Sequence, residues 1–374
     1  MPISLTLPLP DGGLARYDLA GTPLERSSVA PAFSRIAYAA AHVVSDPRRD
    51  VRPWEAPAVD WERTMAFRHH LWSLGFRIAE AMDTAQRGMG LDWAGAQELI
   101  SRSLAEAKTV PGADLVCGAG TDHLDPADAR SLDDVIRAYE EQVGFVEKHG
   151  GKAIMMASRA LARLASSPDD YRKVYGRILG QAKDKIVLHW LGDMFDPQLA
   201  GYWGSKDFEP ALEAVLSIIA ENRGKVEGIK ISLLDNACEV ALRNRLPEGV
   251  LCFTGDDFNY AELIEGDGQK YSHALLGIFD AVAPQASKAL AALAADDVAT
   301  FRAVIEPTVP LSRKIFEAPT PYYKAGVVFI AWLNGHQDHF TMPHGMQSAR
   351  GLMHYAELFR LADRANVLDR PELA

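Results

Sequence analysis

Val226-Glu227-Gly228-Ile229-Lys230-Ile231-Ser232 is the stretch on which the fold turns. Its alternation aims Ile229 and Ile231 to one side and Lys230 to the other, the period-2 signature of a strand. Strands buried on both faces rarely carry a lysine, because an ammonium taken out of water costs far more than a buried methylene returns. A strand that keeps one uses it as an amine or lets it escape at the rim. Desolvation lowers a lysine pKa and makes the amine nucleophilic towards carbonyls. The same residues also fit a strand-end lysine paired with Asp256 or Asp235, its stem packed and its head in water.

Working outward, the chain repeats one cycle: a short apolar run, a polar or glycine-containing turn, an amphipathic helix. Predicted strands are Arg35–Val44, Arg77–Met82, Asp114–Gly118, Lys152–Met156, Lys185–Trp190, Val226–Ser232, Val250–Thr254 and Leu276–Ala281. Predicted helices between them include Trp93–Ala107, Leu132–Lys148, Asp170–Ala182, Phe208–Asn222 and Asn236–Arg245. Strands alternating with helices mean parallel βαβ units, and this number of them points to a (β/α)8 TIM barrel over residues 35–284. Residues 1–34 read as an N-terminal extension with a hairpin around Asp11-Gly12-Gly13, and Asp46–Val59, with Pro47, Pro53 and Pro57, as a long loop. Residues 285–374 read as a helical appendage: Gln285–Ala295, Val298–Ile315, Tyr322–Leu333 and Gly345–Arg364, broken at Pro307, Pro310, Pro319 and Pro321.

The 374 residues are 48% hydrophobic, enough for a large core, and carry a formal charge of −11. No basic block is present, so neither nucleic acid nor an anionic membrane is an expected partner. No basic region leads into an apolar one at Met1-Pro2-Ile3-Ser4-Leu5, and the apolar stretches near Ala274–Ala283 and Ala325–Leu333 are too short to span a bilayer. Cys117, Cys238 and Cys252 are widely spaced without Cys-x-x-Cys and read as small hydrophobes. The expected compartment is the cytoplasm.

In such a barrel the chemistry sits at the C-terminal ends of the strands. Those places hold His42, Asp83-Thr84, His123, Ser158-Arg159, His189, Lys230, and Thr254 with Asp256-Asp257. Most are ordinary loop polarity. Lys230 and His189 differ because each interrupts an apolar strand, and His189 shares parity with Val187, which could turn it into the barrel.

Together these residues resemble the dihydrodipicolinate synthase / N-acetylneuraminate lyase family of class I aldolases. Gly228-Ile229-Lys230-Ile231-Ser232 is similar to that family's Gly-[Ile/Val]-Lys-[Asp/Glu]-Ser/Ala strand, whose lysine forms the Schiff base. Thr254-Gly255-Asp256-Asp257 resembles its Gly-Asp-Asp turn after the seventh strand. Arg35-Ile36-Ala37-Tyr38 through Asp46 resembles its first strand and turn, and Ala299–Leu333 with Met342-Pro343 its C-terminal segment. The departures are as informative. Asp83-Thr84-Ala85-Gln86-Arg87 stands where the family has Gly-Thr-Thr-Gly-Glu, and loses the glycines that cradle a keto-acid carboxylate. His189-Trp190-Leu191-Gly192 replaces Tyr-Asn-Val-Pro, Met194 and Phe195 stand in place of an arginine, and Ala157-Ser158-Arg159 replaces Pro-Tyr-Tyr.

The resemblance implies imine chemistry at Lys230, with no cofactor and no metal, on a small hydroxylated carbonyl compound such as a 2-keto acid or sugar-derived keto compound. It also implies a homodimer or homotetramer. His189 replaces the relay tyrosine, since an imidazole with a pKa of about 6.5 serves as acid or base. Thr84 passes a proton or binds substrate. Arg87 or Arg159 could grip a carboxylate, and Asp83, His42, His123, Ser158, Thr254, Asp256 and Asn259 would line a polar pocket. One alternative is a divalent-metal lyase or isomerase built from Glu80, Asp83, His123, His189 and Asp256. The other is a barrel that binds a metabolite without turning it over. His336, His339 and His344 lack helical i, i+4 ligand spacing and read as a polar loop.

Overall fold

A computed structural model describes residues 3–25, 31–50, 52, 54–55 and 57–373. Val51, Pro53 and Ala56 of the predicted loop, and Met1, Pro2 and Arg26–Ala30 of the predicted extension, lie outside the described residues.

Ser4–Pro8 (β1) and Leu14–Asp18 (β2) form an antiparallel hairpin, Ser4 opposite Asp18 and Pro8 opposite Leu14. The turn lies at Asp11-Gly12-Gly13, where Asp11 accepts from the Gly13 N–H and Gly12 takes a positive φ of 85°. Eight parallel strands then close a barrel: Ala37–Ala40 (β3), Arg77–Glu80 (β4), Leu115–Ala119 (β5), Lys152–Met155 (β6), Ile186–Leu191 (β7), Val226–Ser232 (β8), Leu251–Thr254 (β9) and His273–Leu276 (β10), in sequential order with β10 beside β3. Helices stand between the strands, so the architecture is the (β/α)8 barrel that the alternation predicts.

The helices start where side chains satisfy the orphan N–H groups of the first turn. Asp92 caps Trp93–Ala107, Ser131 and Asp134 form a reciprocal capping box on Leu132–Lys148, and Asp235 caps Asn236–Arg245. β8 is buried along almost its whole length, with Ile229 and Ile231 at 0% and 1% exposure. Each such side chain contributes roughly 1.5–3 kcal/mol on leaving water.

Two expectations need correction. The last strand is His273–Leu276, and Ile278–Ala281, read as its continuation, is a helical turn. A short apolar run does not by itself distinguish strand from helix, and Tyr271-Ser272-His273 disguised the true start. The helix Trp61–Ser73 was not expected. It buries Thr64 and Arg68 among its apolar residues, so no clean apolar stripe marks it; Arg68 donates to the carbonyl oxygens of Thr64 and His42.

The C-terminal helices are Ala283–Ala294, Val298–Ile305, Val309–Ile315, Tyr323–Leu333 and Leu352–Arg364. Glu306–Thr308 and Thr320–Tyr322 are short 3-10 turns at the predicted proline breaks. The chain divides into two compact units, one of residues 1–78, 83–91 and 276–374, the other of 79–82 and 92–275. Among the described residues no helix is long and apolar enough to cross a membrane.

Candidate active site

In the unit of residues 79–82 and 92–275, register brings the two residues that interrupt apolar strands side by side. His189 of β7 is opposite Lys230 of β8, which is opposite Phe253 of β9. Trp190, next along β7, stacks on Phe208 of the helix Phe208–Glu221. The odd-even alternation of a strand therefore turns His189 the other way, into the barrel with Lys230. His189 is fully buried and Lys230 is 8% exposed.

His189 Nε2 lies 3.3 Å from Ser232 Oγ, within hydrogen-bond reach, and its Nδ1 is buried with no partner. Burial first, and the adjacent Lys230 charge second, hold the imidazole pKa well below its ordinary value, so it is neutral at pH 7. Gly255 completes the group. A Cβ placed there would stand 2.1 Å from Ser232 Oγ and 2.7 Å from Lys230 Cε, so only glycine leaves both side chains their room.

Asp256 and Asp235, the candidate salt-bridge partners of Lys230, are both engaged by their own loops. Asp256 accepts from the N–H groups of Phe258 and Asn259 and from Asn259 Nδ2, and burial pushes its carboxyl above the ordinary range. Asp235 accepts from the Ala237 and Cys238 N–H groups. Thr254 pairs in register with Ile231 and so faces outward, towards the helix Asn236–Arg245. There it neighbours Glu239, which is 1% exposed; burial raises its pKa to about 8, against the smaller opposing pull of the Ser272 and Thr254 hydroxyls.

The remaining candidates in this unit have partners of their own. His123 lies within hydrogen-bond distance of Gln142 and 3.3 Å from Glu141, both on the helix Leu132–Lys148. Ser158 caps the short helix Arg159–Leu164 and shares a 2.7 Å contact with Thr121 Oγ1, while Arg159 is ion-paired with Asp196. Glu80 accepts from Ser103 and from the Ala81 N–H. Among the described residues no three His, Cys, Asp or Glu side chains gather as a metal-binding group.

The other unit holds the remaining predicted residues. Thr84 sits in the 3-10 turn Asp83–Ala85, its Oγ1 2.9 Å from the Tyr323 hydroxyl, and Arg87 is buried just beyond that turn. The Tyr323 ring stacks on Phe316 at 4.3 Å. His42 is 1% exposed, and its Nδ1 lies 2.8 and 3.0 Å from the two carboxylate oxygens of Asp280. The His336 ring packs on Phe67 and His70, and His339 Nδ1 accepts from the Thr341 N–H. Sequence patterning singles out none of Ser232, Glu239, Asp280 or Tyr323. Only Ser232 carried a usable signal, its parity with Lys230 two residues earlier on the same strand.

Residues 5–374 match the family described as Protein of unknown function (DUF993). The chain belongs to that family. No curated protein matches the sequence of this DUF993 chain. Its fold is that of the dihydrodipicolinate synthase structures. A prophage protein of the dihydrodipicolinic acid synthase family from E. coli K12, in complex with pyruvate, superposes with a TM-score of 0.67 at 12% identity, covering 90% of this chain and 100% of that one. The dihydrodipicolinate synthase from Aquifex aeolicus gives 0.66 at 11%, covering 89% and 99%. That from Thermotoga maritima gives 0.64 at 17%, covering 91% and 99%. The resemblance read from the lysine strand and the Gly-Asp-Asp turn is thus present in the architecture of the DUF993 chain. At such identities the likeness speaks to the fold.

Proposed function

We propose that this chain is a lyase of the class I aldolase type, forming an imine between Lys230 and a small hydroxylated carbonyl compound. The observation that carries the reading is the buried pair on β7 and β8: an amine at the inner face of a barrel wall beside an imidazole kept neutral. A protonated imine draws electrons from the adjacent carbon, which serves C–C cleavage, C–C formation or loss of a hydroxyl group equally well. His189, opposite Lys230 in the strand register, is a proton acceptor and donor for that centre, and its unpartnered Nδ1 suits a substrate hydroxyl. Small 2-keto acids and sugar-derived keto compounds are the substrate class to try first. A homodimer or homotetramer and a cytoplasmic location are part of the same reading.

The test is reductive trapping. The protein is incubated with borohydride and a panel including pyruvate, glycolaldehyde and dihydroxyacetone, then digested and mapped by mass spectrometry. The expected result is a reduced adduct on Lys230, absent in Lys230→Ala. Turnover of a panel compound with no adduct at Lys230 would overturn the proposal.

A further inference from the structure

Ser232 is two residues beyond Lys230 on β8 and so shares its face, and its hydroxyl is 3.3 Å from His189 Nε2. Ser232 Oγ and Lys230 Cε converge on the same small volume above Gly255, 2.1 Å and 2.7 Å from the point a Cβ would occupy. The end of the Lys230 stem, the Ser232 hydroxyl and the His189 imidazole are thus neighbours in space. Ser232 is 2% exposed and His189 is fully buried, so bulk water cannot substitute for the hydroxyl between them.

We infer that Ser232 is a catalytic residue of the imine-forming step, its hydroxyl relaying a proton between Lys230, the substrate oxygen and His189. The inference rests on the imine reading above and adds to it the group that moves the proton. The amine of Lys230 is freed when its ammonium proton passes through Ser232 Oγ to His189 Nε2. The nitrogen lone pair then attacks the carbonyl carbon, a C–N bond forms, and the π pair moves to oxygen. A proton transferred from that nitrogen to the oxygen gives the neutral carbinolamine. The C–O bond breaks with the proton held on His189 returning through Ser232 to the departing oxygen, and the nitrogen lone pair closes the C=N bond. Ammonium plus carbonyl becomes iminium plus water, with one positive charge on each side and no external acid.

Electrostatics favours each direction at the moment it is needed. The Lys230 charge is one of the two causes that keep His189 neutral. As Lys230 gives up its proton that repulsion vanishes and the imidazole becomes a better base. As the iminium forms the repulsion returns and drives the proton off. A serine that merely packed beside Gly255 would take no part in this exchange.

The experiment compares adduct formation at Lys230 in wild type, Ser232→Ala, His189→Asn and the double variant, by timed cyanoborohydride quenching with pyruvate and glycolaldehyde as probes. Circular dichroism checks the fold of each variant, with Ser232→Cys standing in should the alanine variant not fold. The expected result is a fall in rate of roughly 10–100-fold in Ser232→Ala. A comparable fall is expected in His189→Asn, with little further loss in the double variant because one relay is broken only once. The pH dependence of the wild-type rate should flatten in both single variants. A Ser232→Ala rate equal to wild type, or losses that multiply in the double variant, would overturn the relay while leaving the imine reading intact. A wild-type protein that turns over a probe without gaining an adduct overturns both.

Discussion

Gly255 sets the tolerance of the site. Because a methyl there would intrude on both Ser232 Oγ and Lys230 Cε, Gly255→Ala must displace one or both. Overpacking of this kind costs about 1–3 kcal/mol, and the displaced lysine loses its alignment with His189. The expected outcome is a lower urea midpoint together with an adduct yield at Lys230 reduced at least about tenfold, since small misplacements of reacting groups carry large rate penalties. A stable Gly255→Ala protein that traps substrate at the wild-type rate would show that Lys230 has another route to the carbonyl. At this scale the sequence spoke through chemistry out of place. Lys230 and His189 were legible because each breaks an apolar strand, while Gly255 entered only as part of the Gly-Asp-Asp turn. Ser232 offered only its parity with Lys230, since a serine at a strand end is ordinary until the neighbouring strand's register brings an imidazole to it. Thr254 misled, because strand-end position gave no parity; pairing with Ile231 sends it outward to Glu239.

Elements were legible in proportion to the agreement between local signals and tertiary packing. Leu132–Lys148 was read with the bounds the structure gives it, because Ser131 and Asp134 form a capping box ahead of a clear apolar stripe. Ser131→Ala should therefore destabilise by about 1 kcal/mol, measured by urea unfolding, with Lys230 trapping unchanged; no loss would mean that Asp134 alone satisfies the first turn. Trp61–Ser73 was missed despite its Asp60 cap, because Arg68 and Thr64 occupy buried positions and break the stripe. The final strand slipped because the apolar run Leu276-Gly277-Ile278-Phe279 spans a strand end and a helical turn. Both errors occur where long-range packing, not local composition, decides the state of the chain.

For the whole molecule, two buried groups in the same unit pull its pH stability in opposite directions. Glu239 has its pKa raised to about 8 by burial, so the folded chain holds a proton that the unfolded chain releases near pH 4.5. Its contribution is fully present below that value and is lost as pH rises through about 8. His189 is depressed below its ordinary value, so its contribution is present above about pH 6.5 and fades as pH falls. Asp256, also raised by burial, acts in the sense of Glu239. Stability should thus peak in mildly acidic to neutral solution and decline towards pH 9. Glu239→Gln keeps the shape of the protonated acid and removes the titration. It should raise stability at pH 9 by about 2 kcal/mol, within the roughly 5 kcal/mol ceiling such a shift implies, and change little at pH 5. Urea unfolding of both proteins across pH 5–9 checks this. Parallel stability curves for wild type and Glu239→Gln would mean that the carboxylate ionises in the folded state with a partner or water at its oxygens, and that the alkaline decline has another origin.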